Sequence, residues 1–207
     1  MKKILIILAV ILLAVFGYRF YLASQDHYDT EVHVHSDFAV YVNNQKLDFS
    51  QDKYQSSAGH EKNEHIHVHD KNGNVVHRHA EGVTFAEFLH SLGFMLTNDC
   101  FTLDTGEEFC TDASTTVALY VNGKEVKDKT GYINQEKDRI LLTVGTAGAT
   151  IDEELASVTD EACVHSGTCP ERGVPPVETC GLTCDVTLSH SHTTLWQKLT
   201  YVFFNHY

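Results

Sequence analysis

One stretch constrains this chain more than any other: Glu64-His65-Ile66-His67-Val68-His69-Asp70, a turn signal at Lys71-Asn72-Gly73, then Asn74-Val75-Val76-His77-Arg78-His79. Both arms repeat with a period of two, which is the pattern of a strand whose side chains alternate between faces. Turn length then decides which residues share a face, because a slip of one residue flips every side chain. A three-residue loop at Lys71-Asn72-Gly73, a type I turn with glycine in the left-handed position, sets Asp70 against Asn74, His67 against His77 and His65 against His79. His65, His67, His69, His77 and His79 would share one face, and Ile66, Val68 and Val76 would form an apolar back. A two-residue turn at Asn72-Gly73 would move His77 and His79 to the other face. We expect the three-residue loop.

A second His-x-His unit lies upstream. Glu31 to Val42 alternates as a strand, with His33, His35 and Asp37 on one side. Two imidazoles two residues apart on a strand are separated by about 7 Å, and a neighbouring strand lies roughly 5 Å away. Long side chains at those spacings can converge on one ion. Zinc takes three or four such ligands at about 2 Å, and copper(II) also accepts imidazole. The expected metal ligands are therefore His33, His35, His65, His67, His69, His77 and His79. Asp37 and Asp70 are candidate ligands or acceptors that fix an imidazole tautomer. Seven imidazoles exceed one tetrahedral sphere, so two sites, or one site plus a relay, fit the count. His27, His90 and His206 read as solvated surface residues, while His60 and His165 sit in loops and are open to either reading. The metal-free alternative is a pH-responsive face.

Composition supports the choice of partner. The chain has 207 residues, 43% of them hydrophobic, and a formal net charge of −13. That is enough chain for one domain with a core and a short appendage. The negative charge argues against nucleic acid, which needs a basic face, and against charge-driven docking on anionic lipid. It suits attraction of cations. Histidine is the compositional outlier, at 14 residues against 2 methionines and 3 prolines.

The N-terminus reads as a targeting segment. Lys2 and Lys3 precede the unbroken apolar run Ile4 to Phe16, which Gly17 to Leu22 extend with an interfacial character. Arg19 can snorkel. Small residues suited to cleavage are poor, and no cysteine follows the run, so we expect an uncleaved anchor over 1–23 rather than a cleaved signal or a lipoprotein. Lys2 and Lys3 stay inside and the remainder faces outward. A polar tether follows over 24–30.

The expected fold is α+β and β-rich: a β-grasp-like sheet with one short helix over 31–148, then a helix and Cys-rich irregular segment over 149–187, then an amphipathic segment over 188–207. Asn43-Asn44 makes a turn, Leu47 and Phe49 begin a return strand, and Ser50 to Asn63 is a polar loop. Thr84 and Glu87 fit a capping box, Val83 and Phe88 a hydrophobic staple, and Gly93 ends the helix. Cys100 to Cys110 reads as a hairpin around a three-residue loop at Asp104-Thr105-Gly106, which sets Cys100 opposite Cys110 for a disulfide. Val117 to Val121, a turn at Asn122-Gly123-Lys124, Glu125-Val126 and Asp138 to Gly145 complete the strands. Ile151 to Val158 is a helix. An even number of cysteines in an exported chain is a disulfide set, so Cys163, Cys169, Cys180 and Cys184 are expected in two further disulfides of open connectivity, with a zinc site as the alternative.

Two resemblances accompany these readings. The helix after Thr84, Tyr120-Val121-Asn122-Gly123-Lys124 and Asp138-Arg139-Ile140-Leu141 resemble the small β-grasp domain of cobalamin-carrier-like extracellular proteins. That implies a fold for residues 83–145 and no ligand. The His-Val-His strand together with Cys169-Pro170-Glu171-Arg172-Gly173 resembles a family of membrane-anchored, His-rich extracytoplasmic proteins of small-genome microbes, which implies an exported, anchored chain and brings no activity.

The functional expectation is extracytoplasmic capture, buffering or delivery of zinc or copper. Its alternatives are thiol–disulfide exchange and zinc-dependent hydrolysis. Against exchange, Cys180 and Cys184 have three residues between them and no thioredoxin-like context. Against hydrolysis, no His-Glu-x-x-His helix or serine elbow is present, and Glu64, Glu81 and Asp37 are the only candidate bases we single out. The membrane is met through the N-terminal helix, nucleic acid is not a partner, and no protein partner is indicated.

Overall fold

The computed structural model describes residues 32–57, 59–146 and 151–177. Its spine is β1 (Val34–Val42), an alternating strand that is buried on both sides. Ser36, Phe38, Val40 and Val42 point to one face, and His35, Asp37, Ala39 and Tyr41 to the other. The chain reverses at Asn43 and Asn44, both left-handed (φ 50° and 65°), as a two-residue hairpin turn requires. The return strand β2 is only Gln45–Lys46, earlier and shorter than Leu47 and Phe49 suggested. Phe49 instead enters the core.

The hairpin follows as β3 (Ile66–His67) and β4 (Val75–Arg78). Its pairing is Ile66 with Arg78 and His67 with His77, and the His79 amide donates to the His65 carbonyl at 2.7 Å. The expected register is therefore present, but the expected loop is not. Asp70 and Lys71, not Gly73, take the left-handed conformation (φ 54° and 57°), and the Asn72 amide donates to the His69 carbonyl at 3.0 Å. The Asn72 carboxamide oxygen then accepts from the amides of Asn74 (2.8 Å) and Val75 (3.3 Å), returning the chain to the ladder. Glycine is needed at 73 for another reason: a Cβ there would run into the backbone of Phe49 and Ser50.

Helix α1 (Phe85–Ser91) has the full capping box between Thr84 and Glu87, and Gly93 beyond its end is left-handed (φ 93°). A small three-stranded sheet follows, β5 (Met95–Leu96), β6 (Cys100–Thr102) and β7 (Glu108–Cys110). Cys100 lies opposite Cys110, and the two form a disulfide with Cα atoms 4.0 Å apart. Gly106 is the left-handed residue of the loop (φ 88°), as expected.

The main sheet is completed by β8 (Thr115–Val121), β9 (Lys124–Val126) and β10 (Arg139–Thr146). Among the described residues it has seven strands in the order β3-β4-β1-β10-β8-β9, with β2 on β1. β1 and β10 are parallel neighbours, with Asp37 beside Arg139. The fold is thus α+β and β-rich.

Two faces follow from this register. On the first, Phe38, Val40, Ile66, Val68, Val76, Leu119, Ile140 and Leu142 pack against Phe85, Phe88 and Leu89 of α1. Full burial of such side chains stabilises the fold by about 1.5–3 kcal/mol each. Arg78 lies among them, 2% exposed. Its guanidinium donates to the carbonyls of Asn134 (3.1 Å) and Ala80 (2.7 Å), as a buried cation requires. The second face carries the histidines at one end. At the other, Ala39, Leu141 and Tyr120 pack with Leu155 and Val158, from and just beyond α2 (Ile151–Ser157). A last short helix, α3 (Ala162–His165), follows. The described residues all belong to one packed unit, Thr30–Val186.

The expected anchor over 1–23, tether over 24–30 and segment over 188–207 lie outside the described residues, as do Cys180, Cys184, His27 and His206. Among the described residues no helix is long and apolar enough to cross a membrane.

Candidate metal centre

The second face of the sheet gathers imidazoles from three strands and a helix. His35 pairs across to His77 on β4, and His77 to His67 on β3. With side chains alternating along each strand, His33, His79 and His69 project to the same side. Ring centroids lie 4.7 Å apart for His35 and His77, 4.2 Å for His69 and His77, 4.6 Å for His33 and His79, and 4.9 Å for His67 and His79. His35, His67, His69, His77 and His79 are buried.

Among the described residues two all-histidine groups have the geometry to hold a metal ion, His33-His77-His79 and His35-His77-His165, each with one ring nitrogen per residue within 4.8 Å of the others; a third group of that geometry, Cys100-Glu108-Cys110, has both sulfurs tied in a disulfide. His67 and His69 flank the two histidine groups. His65, opposite His79 in register, lies toward the rim with its Nε2 3.3 Å from Glu64 and its side chain 24% exposed. His65 belongs to neither group.

Hydrogen bonds fix several tautomers. The His67 Nδ1 lies 2.8 Å from the Asn63 carbonyl oxygen. A carbonyl can only accept, so Nδ1 carries the proton and Nε2 carries the lone pair. The His69 Nδ1 lies 2.8 Å from the Asp70 carboxylate, with the same consequence, and its Nε2 is buried with no hydrogen-bond partner among the described residues. A carboxylate behind an imidazole whose other nitrogen points into a cluster is the arrangement that orients metal-ligating histidines. His35 Nδ1 lies 3.2 Å from the Ser166 hydroxyl. That hydroxyl contacts Glu136 and the Ala162 carbonyl, both acceptors. Its single proton goes to one of these, so the His35 Nδ1 donates to Oγ.

Asp37 is placed differently from the acceptors of imidazole considered in the sequence. It accepts from the Thr159 hydroxyl (2.5 Å) and the Glu161 amide (2.7 Å) on one oxygen, and from the Ala162 amide (3.0 Å) on the other. Its register neighbour Arg139 donates to the carbonyls of Thr159 (3.1 Å), Leu155 (3.4 Å) and Val158. The carboxylate thus holds the amides entering α3 and the guanidinium the carbonyls leaving α2, each matching the local backbone dipole. Together they lay α3 on the sheet.

The result is His165, which stands 5.7 Å from His35 and 5.2 Å from His77 by ring centroids. It belongs in the centre, although its sequence context left it open. The one signal was its position between Cys163 and Cys169, which form a disulfide. His60 and His90 are exposed. Glu81 lies 3.8 Å from Arg78, and both Asp37 oxygens hold the chain entering α3. Among the described cysteines, Cys100, Cys110, Cys163 and Cys169 are all in disulfides.

No family model, no curated protein and no solved structure matches this chain.

Proposed function

We propose that this chain is a membrane-anchored, extracytoplasmic protein that captures, buffers or delivers a transition metal, zinc or copper. The observation that carries the reading is the pair of three-histidine groups on one buried sheet face. Neutral imidazole suits both ions, and the Asp70–His69 and Asn63–His67 contacts orient the two rings that flank the groups. Two disulfides fit an oxidising compartment. The apolar run at Ile4–Phe16 behind Lys2 and Lys3 supports the anchor. We read the sheet as a β-grasp: the first strand pairs in parallel with the last, and α1 follows the strand that flanks β1.

The test is metal analysis of the purified full-length chain, loaded with zinc or copper and desalted. The wild type retains ion, and His77→Ala retains little. A wild type holding no more metal than His77→Ala overturns the reading.

A further inference from the structure

The two three-histidine groups share one residue, His77. A neutral imidazole has one nitrogen with a free lone pair and one that carries a proton. His77 in that form serves one ion at a time. We infer that the centre holds a single metal ion in either of two alternative positions, an outer one on His33, His77 and His79 and an inner one on His35, His77 and His165. His77 stays attached while the ion passes from one pair of partners to the other. The inference rests on the metal reading above.

Asn72 makes the two positions unequal. Its carboxamide oxygen already accepts from the Asn74 and Val75 amides, so its NH2 is the group 3.3 Å from the His165 Nε2. That NH2 donates and Nε2 accepts. An ion bound through Nε2 must displace the amide. An ion bound through Nδ1 forces the proton onto Nε2, where it faces another donor. Either way the inner position opens only when Asn72 turns away, so the resting ion sits on His33, His77 and His79. Both ligands beside His77 in the outer position stand next to paired strands, His33 just before β1 and His79 just after β4. The inner one depends on α3, held from Asp37 and by the Cys163–Cys169 disulfide. Such a shift of ligands, with one anchor retained, moves an ion through the centre without passing through the fully dissociated state.

The experiment uses cobalt(II), whose visible spectrum reports ligand geometry where zinc's filled shell is silent. The full-length wild type, His33→Ala, His165→Ala and Asn72→Ala are titrated, and stoichiometry and spectrum are read together. We expect one ion in each. Removing the minor position, by His165→Ala, changes affinity by about twofold or less, because only the small population in that position is lost. His33→Ala still binds one ion, more weakly and with a distinct spectrum. Asn72→Ala moves the spectrum toward that of His33→Ala. Two ions per wild-type chain overturn the inference in favour of a bridging or independent pair. A loss of the order of 100-fold in both His33→Ala and His165→Ala also overturns it, since that marks one undivided site of obligatory ligands. An unchanged Asn72→Ala spectrum removes Asn72 from the account. Failure of the wild type to bind any ion defeats the metal reading itself, an outcome separate from all of these.

Discussion

Asp70 acts at two levels. Its left-handed backbone begins the turn that returns β3 to β4, and its carboxylate holds the His69 Nδ1 proton. Asp70→Asn keeps the turn, since asparagine also tolerates that conformation, but removes the charge behind His69. His69 flanks His77 at 4.2 Å between ring centroids without belonging to either three-histidine group, so zinc affinity by calorimetric titration should fall by well under the roughly tenfold that losing a ligand's own partner costs, with little change in thermal stability. Asp37 should behave in the opposite way. Asp37→Ala leaves the Glu161 and Ala162 amides without their acceptor, and denaturant unfolding should show a loss of about 3 kcal/mol. The clustered histidines on the strands were legible in the sequence because alternation places them on one face. His165 was not, because nothing periodic links a lone histidine in a four-residue helix to strands formed far earlier in the chain. What brings it in is Asp37 and Arg139 standing side by side on neighbouring strands, a juxtaposition that exists only once β1 and β10 have paired.

At the scale of elements, local signals were the dependable ones. Thr84 and Glu87 form both halves of the capping box, and Thr84→Ala should cost about 1 kcal/mol in denaturant unfolding. The Cys100–Cys110 register followed from the three-residue loop with glycine at its left-handed position. Replacing both cysteines by serine should destabilise the unit by about 3 kcal/mol from loop-closure entropy alone. The histidine hairpin shows where such reasoning reaches its limit. Its register was readable because a loop of three residues, unlike one of two, puts Ile66, Val68 and Val76 on one face. Its turn was not, because Gly73 reads as the residue that reverses the chain. Tertiary crowding against Phe49 and Ser50 gives that glycine a different purpose, and Asp70 and Lys71 turn the chain instead.

At the scale of the whole unit, the loop before the hairpin is tied to the small sheet by one polar cluster. Lys53 lies 2.6 Å from the Asp104 carboxylate, and the Tyr54 hydroxyl donates to the same oxygen at 2.9 Å. The Lys53 contact holds the Asp104 carboxyl below its ordinary range, while Asp104 pushes the Lys53 amine up to about 12. The carboxyl binds its proton more weakly folded than unfolded. Its contribution is therefore complete above the ordinary carboxylate pKa and disappears as pH falls through the lowered folded value. Asp104→Asn should make unfolding free energy less steep in pH on that acid side, measured by denaturant titration from neutral pH downward. A bound ion adds stability by mass action, about 2.7 kcal/mol at a free concentration one hundred times the dissociation constant. Chelation should accordingly lower the melting temperature of the wild type and leave that of His77→Ala unchanged.

The parallel pairing of β1 with β10 also sets an order of events. These neighbours lie at opposite ends of the sheet-forming chain, so their contact closes a long loop and belongs among the slow, non-local steps of folding. The hairpin of β3 and β4 needs only its own residues and can form early. During synthesis the chain would first present His67, His69, His77 and His79 on an isolated ribbon. His33 and His35 join when β1 docks, and His165 only after β10 has arrived and α3 has settled against β1. The complete histidine cluster is thus a late product of assembly, and if it is the metal centre proposed above, free metal in excess during refolding should trap the early ribbon and slow recovery of the native unit.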